Sequence, residues 1–319
     1  MAVYTEVSFE DLAGFLAAYD IGAAKIFKGI AEGVSNSNYY LETDRGRYIL
    51  TLYEKRIDTD ELPFFLGLME HLAAGGLPCP TPVHTRDGRF AGPLNGRVAA
   101  ILTFLDGISL NRPSAEHCGV AGRALADLHL AGQSFKPRRH NALGLEGWKS
   151  LAMDCASHAD SIATGMQNLI DGELQFLERA WPKELPSGII HADFFPDNVL
   201  FMEHRITGVI DFYFACYDSL AYDLAVTVNA WCFESDGGFN VTKSKALIAG
   251  YQSARRLTEA ERVSLPILAR GAALRFLLTR LYDWVNKSPD AFVRPKDPRQ
   301  FEKRLRFHRD VRAPQEYGL

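Results

Sequence analysis

The first hundred residues switch between two kinds of apolar spacing. Behind Ser8, the residues Phe9, Leu12, Phe15, Leu16 and Tyr19 recur three and four apart, which predicts a helix capped by Ser8 with Glu10 and Asp11 in its first turn. From Ala24 the pattern shortens to three strand-like runs, Ala24–Gly29, Asn38–Thr43 and Arg47–Tyr53. Asp44-Arg45-Gly46 between the last two is a hairpin turn signal. A second helix is expected over Asp58–Ala74, with Leu62, Phe65, Leu66, Met69 and Leu72 on one face. Gly75-Gly76 ends it, and the prolines of Leu77–Pro82 cannot continue one. Val83–Thr85 and Val98–Phe104 read as further strands.

Past Leu105-Asp106-Gly107 the spacing becomes mainly helical. Helices are expected over Ala115–Ala131, within Trp148–Ala163 and Leu169–Trp181, and over Tyr217–Glu234, Thr242–Arg255 and Ser264–Trp284. A basic helix, Arg299–Arg309, closes the chain, its charges expected to form a solvated face. His129, in the first of these helices, reads as a surface or core histidine and not as a ligand. The change of pattern divides the chain into a strand-rich lobe, 1–106, and a mainly helical lobe, 107–319. The fold class is α+β.

Composition narrows the function classes. Hydrophobic residues at 47% and charged residues at 23% are ordinary globular values. A formal net charge of −4 leaves no electrostatic footprint for nucleic acid. No apolar run reaches membrane-spanning length and no signal peptide is visible at Met1–Glu6, so a cytoplasmic protein is expected. The five cysteines are scattered without a CxxC pair, which predicts buried thiols, Cys216 among them.

The chemistry is concentrated in one stretch. Ile189-Ile190 is a short apolar run, and His191-Ala192-Asp193-Phe194-Phe195-Pro196-Asp197-Asn198 is a polar loop. A second and a third run follow, the last ending on Ile210-Asp211-Phe212. Asp and Asn in loops are usually turn formers. His, one residue, Asp, four residues, Asn is also the spacing of a phosphoryl-transfer loop, which needs one carboxylate for the attacking hydroxyl and an amide plus a second carboxylate for magnesium. Asp193 is the candidate acid or base, with His191 supporting the loop. Asn198 and Asp211 are the candidate ligands of Mg2+ and the nucleotide. The small residues around Gly33, Ser35, Asn36 and Ser37 could bring backbone amides to a phosphate, although they lack the P-loop pattern. Phe104, at the crossover, is expected to border the nucleotide.

With Ile210-Asp211-Phe212 and Tyr222-Asp223-Leu224, the chain resembles the protein-kinase-like two-lobe fold in its aminoglycoside phosphotransferase and choline kinase branch: a small antiparallel-sheet lobe followed by a helical lobe. Gly33–Tyr40, Tyr48–Glu54, Glu61–Phe65, Leu77–Pro82 and Leu274–Asp283 look more specifically like the bacterial homoserine kinases of that fold. The resemblance implies ATP-dependent phosphorylation of an amino-acid hydroxyl, with ATP and Mg2+ required. It makes Arg275 and Arg280 candidates for the substrate carboxylate, and Asp218 or Asp223 for its ammonium. One departure stands out. The third strand carries Thr51 where kinases usually place a phosphate-gripping Lys, with Lys25, Lys28, Lys55 and Arg56 as replacements and Glu61 or Glu70 as partner acids. Kinases of choline, a sugar or an aminoglycoside remain open, as does a nucleotide-binding scaffold without catalysis. A protein kinase is disfavoured because Asp211-Phe212-Tyr213 lacks the Gly of DFG.

Overall fold

The computed structural model describes residues 5–30, 36–54, 58–287 and 295–319. Two compact units divide it, Met1–Gly107 with Thr207–Tyr213, and Ile108–Ile206 with Phe214–Leu319. The chain therefore enters the first unit twice.

In the first unit, helix α1 (Phe9–Leu16) starts on a capping box, in which Ser8 and Asp11 satisfy each other's backbone N–H. Strands β1 (Ala24–Gly29), β2 (Asn36–Thr43) and β3 (Arg47–Tyr53) follow, then helix α2 (Leu62–Ala74) and strands β4 (Gly92–Leu94) and β5 (Arg97–Thr103). The sheet is antiparallel throughout, in the order β1-β2-β3-β5-β4. Leu12, Phe15, Leu16 and Tyr19 of the α1 region meet Leu41, Leu50, Leu52 and Ile101 of the strands in one buried cluster. That burial is why the three-and-four spacing of the one and the alternation of the others coexist. Asp58 caps a short 3-10 turn and the helix proper begins at Leu62, four residues after the expected start. The returning segment is stitched in by Val209 N–H donating to Pro78 O at 2.7 Å, and by the Tyr213 ring against Tyr53 and Phe65.

The second unit contains β6 (Ile108–Ser109), α3 (Ala115–Ala131), α4 (Leu145–Cys155), α5 (Ala159–Ile162) and α6 (Met166–Ala180). It continues with β7 (Ser187–Ile190), β8 (Val199–Met202), the start of β9 (Arg205–Val209), whose end from Thr207 belongs to the first unit, then β10 (Cys216–Ser219), α7 (Leu220–Trp231), α8 (Val241–Ala254), α9 (Glu259–Val285) and α10 (Arg299–Asp310). The expected helix from Tyr217 is corrected here. Residues 216–219 pair antiparallel with β7, and the helix begins only at Leu220. The terminal basic helix is also more than a solvated face. Arg304 donates to Asn229 O and the fully buried His308 packs against Tyr317 and Asn229, burial holding the imidazole neutral by pushing its pKa down to about 3. All five cysteines are buried and free. No helix among the described residues is long and apolar enough to cross a membrane.

Helices α3 and α8 touch backbone to backbone. A Cβ on Gly122 would lie 1.9 Å from Leu247 O, and one on Gly250 2.0 Å from Gly119 O. Backbone carbonyls cannot rotate aside, so Gly122→Ala is expected to cost about 3 kcal/mol in urea unfolding. Gly172→Ala, on an exposed turn of α6 with open space around it, is expected to stabilise by about 0.5–1 kcal/mol.

Candidate active site

Strand β7 delivers the chain to His191, where the backbone turns sharply. Ala192 takes φ of +61°, a left-handed conformation that costs a non-glycine residue about 1–2 kcal/mol. Three hydrogen bonds compensate. The fully buried Asp223 on α7 accepts the backbone N–H of His191 at 2.7 Å and of Ala192 at 2.8 Å. From α9, the buried Arg275 donates from Nη1 to Ala192 O. Both sides of the strained peptide are thus gripped by charged groups, which make stronger hydrogen bonds than neutral ones.

Asp193 leaves this turn half-buried. Its own N–H donates to His191 Nδ1 at 3.2 Å, so the buried His191 ring presents Nδ1 as an acceptor and supports the loop from inside. Asn198 closes the loop: its Nδ2 donates to Asp193 O at 2.9 Å and to Asp193 Oδ2 at 3.0 Å. Pro196 starts the single 3-10 turn, Pro196–Asn198, that makes this reach possible. Phe194 is locked by Trp231, whose indole donates to Phe194 O at 2.7 Å, and Phe195 packs on Phe276. Burial pushes the Asp193 carboxyl up to about 6, against the pull of the Arg275 guanidinium, the Lys296 ammonium and the Asn198 hydrogen bond. Nearby, Lys296 pairs with the exposed Asp197 at 2.8 Å. Arg280 lies over Phe301, and burial draws its pKa down to about 10, so it remains a cation at neutral pH.

Several expected binding residues have other work. Asp223 and Arg275 are both buried and committed to the loop backbone, so neither is placed to meet a substrate. Asp218 accepts from Asn141 Nδ2 at 2.6 Å and from Ser219 N–H, while remaining partly exposed. Asn36 and Ser37 are buried at the start of β2. Ser37 donates to Glu54, and Asn36 accepts from the Glu54 N–H. Gly33 and Ser35, like Lys55 and Arg56, lie outside the described residues. Thr51 is buried with its hydroxyl on Asn38 Oδ1 at 2.9 Å, while Lys25 and Lys28 are exposed on β1. Glu70 pairs with His84. Phe104 packs edge-on against Tyr40 and under the Arg47 guanidinium. Asp211 is exposed and also takes a left-handed conformation, with φ of +65°. Such conformations concentrate at functional sites.

For His129 the core reading holds, although its contact with the residue that anchors the loop was not foreseen. His129, fully buried on α3, places Nε2 3.0 Å from Asp223 Oδ2. Its helical phase carried the signal, because it falls four residues after Leu125 and seven after Gly122 on the buried face. For magnesium the donor chemistry fits. Asn198 spends its amide nitrogen on Asp193, which leaves the amide oxygen as the end able to take a hard cation. No group of three or more His, Cys, Asp or Glu among the described residues gathers to hold a metal.

Residues 26–257 match the sequence pattern of the phosphotransferase enzyme family. Over 319 residues, the whole of this chain and 99% of each relative, the chain is 57% identical to the homoserine kinases of Xanthobacter autotrophicus and Parvibaculum lavamentivorans. The crystal structure of an aminoglycoside phosphotransferase from Alicyclobacillus acidocaldarius superposes with a TM-score of 0.67 at 17% identity, covering 95% of this chain and 96% of that one. That likeness gives the protein-kinase-like α+β fold.

The raised carboxyl of Asp193 has a sign that can be tested. Its folded value of about 6 lies above the ordinary 3.8, so the folded state keeps a proton that the unfolded chain has released. Stability is therefore greatest below about pH 4 for this group, and is lost as pH rises through about 6. Urea unfolding should show Asp193→Asn to be more stable than wild type near pH 8, with the difference shrinking toward pH 4. A constant difference across that range would contradict the burial argument.

Proposed function

This chain belongs to the phosphotransferase enzyme family, and we propose that it transfers the terminal phosphoryl group of ATP to the side-chain hydroxyl of L-homoserine. The product is O-phosphohomoserine, a step toward threonine. The observation that carries this reading is full-length identity of 54–57% to homoserine kinases together with an intact Asp193 and Asn198 in a braced loop. The same full-length identity disfavours choline, a sugar or an aminoglycoside as acceptor, and a scaffold without turnover.

In this reading Asp193 accepts the proton of the attacking hydroxyl. An ordinary aspartate is a weak base at neutral pH; one raised to about 6 takes a proton more readily and is still ionised when the reaction runs. Asn198 orients that carboxylate through Oδ2, and His191 holds the loop from behind. Asn198 and Asp211 are the proposed magnesium ligands; when bound, the ion neutralises phosphate charge. Gly33, Ser35 and Phe104 are proposed to surround the nucleotide. For the acceptor, Arg280 is proposed to take the carboxylate through its planar guanidinium, and Asp218 the ammonium. Positioning and charge do most of the work, because phosphoryl transfer leaves the protein little covalent chemistry.

ADP release measured across homoserine, choline, a sugar panel and kanamycin should be fastest with homoserine, and preference for any other alcohol would replace the acceptor. Asp193→Asn is expected to lower kcat by about 10²–10⁴-fold while nucleotide affinity stays within about twofold. Asp211→Ala is expected to raise the magnesium concentration for half-maximal rate by about tenfold or more; an unchanged requirement would remove it from the ligand set.

A further inference from the structure

Behind Asp223 a chain of buried polar groups runs away from the reaction centre. His129 Nε2 meets Asp223 Oδ2 at 3.0 Å, and His129 Nδ1 meets Tyr251 Oη on α8 at 2.8 Å. Arg255, just past the end of α8, donates from Nη1 to the same Tyr251 Oη at 3.1 Å and from Nη2 to Glu261 Oε1 at 2.7 Å. Glu261, fully buried in the first turn of α9, uses its other oxygen to accept from Thr258 N–H at 2.8 Å and Thr258 Oγ1 at 3.1 Å. Four helices, α3, α7, α8 and α9, are joined by this line.

The protons along it can be counted. A guanidinium has five N–H donors and no acceptor, so Tyr251 Oη must accept from Arg255. Burial holds the Tyr251 hydroxyl protonated by raising its pKa, and the buried His129 Nδ1 is its other neighbour. The single phenolic proton therefore points at Nδ1. A doubly protonated His129 would donate there instead and strand the buried Tyr251 proton without an acceptor, which is costly in a buried site. With Nδ1 accepting, the remaining ring proton sits on Nε2 and donates to Asp223.

We infer that Tyr251 and Arg255 form a one-directional relay that fixes His129 as the neutral Nε2–H tautomer and, through Asp223, aims the His191–Asp193 turn. Tyr251 is thereby a positioning residue for phosphoryl transfer that reaches the loop through His129 on α3 and Asp223 on α7. The relay supplies the third donor to an Asp223 carboxylate that already takes two backbone N–H groups, and it leaves that carboxylate no freedom to rotate. The inference rests on the kinase reading for its effect on rate. The tautomer itself does not depend on which alcohol is phosphorylated.

Nitrogen-15 NMR of histidine-labelled full-length protein, with His129→Gln identifying the signal, should show one protonated and one bare ring nitrogen, the proton on Nε2. A proton on Nδ1, or on both nitrogens, overturns the relay whatever the substrate proves to be. Tyr251→Phe should lower kcat with homoserine by between about tenfold and a hundredfold and leave KM for ATP unchanged. His129→Met should lose activity at least as heavily, and His129→Gln, whose amide can still donate to Asp223, should recover most of it. If Tyr251→Phe fails to fold, the wild-type tautomer and the Gln-against-Met comparison decide. Equal activity in Gln and Met variants, or a folded Tyr251→Phe with wild-type kcat, overturns the positioning role.

Discussion

The carboxylate of Asp223 accepts the backbone N–H groups of two successive residues, His191 and Ala192, and the rest of the site depends on that grip. A left-handed alanine does not persist unaided. With Asp223 on its amide side and Arg275 on its carbonyl, the turn persists and Asp193 emerges from it at a set angle. Each partner comes from a different helix, α7 and α9, so the local geometry of the loop is a consequence of how the helical unit packs. This explains why so many charged and polar groups of the second unit are buried. Asp223, His129, His191, Glu173 and Glu261 all lie inside with hydrogen-bond partners, and the buried Arg275 donates from Nη1 to Ala192 O, as buried charges require.

Function and stability pull apart at Asp193. A carboxylate withdrawn from water is a better base and a worse structural residue, and the same desolvation produces both effects. Asn198 and Arg275 moderate the rise without cancelling it. The loop is thus a place where packing energy elsewhere, such as the Phe194–Trp231 and Phe195–Phe276 contacts, sustains a local arrangement tuned for proton transfer.

Much of this was legible along the chain, and the limits have a common cause. The hairpin β2–β3 and the helices α3, α8 and α10 follow from local spacing, since their own side chains decide their conformation. The loop residues His191, Asp193 and Asn198 were legible because the chemistry fixes their spacing. Residues 217–219 read as helix because their strand partner, Ser187–Ile190, lies far upstream and leaves no mark on local periodicity. β4, containing Gly92 and Pro93, carries no strand signature at all. Arg275 and Asp223 were candidates for the substrate through the resemblance of their segments; the packed structure buries both and binds them to the loop backbone. Asn36 and Ser37 likewise sit in the sheet, taken up by Glu54.

The most direct test of the account is steady-state turnover of ATP and homoserine by Asp223→Asn, read alongside nucleotide affinity and the far-ultraviolet circular dichroism of the same sample. The substitution keeps the size of the side chain but replaces one accepting oxygen with a donor that faces groups able only to donate. If the grip on His191 and Ala192 is what aims Asp193, kcat falls by about a hundredfold or more in a protein that still folds and still binds ATP. Turnover within about twofold of wild type would contradict it.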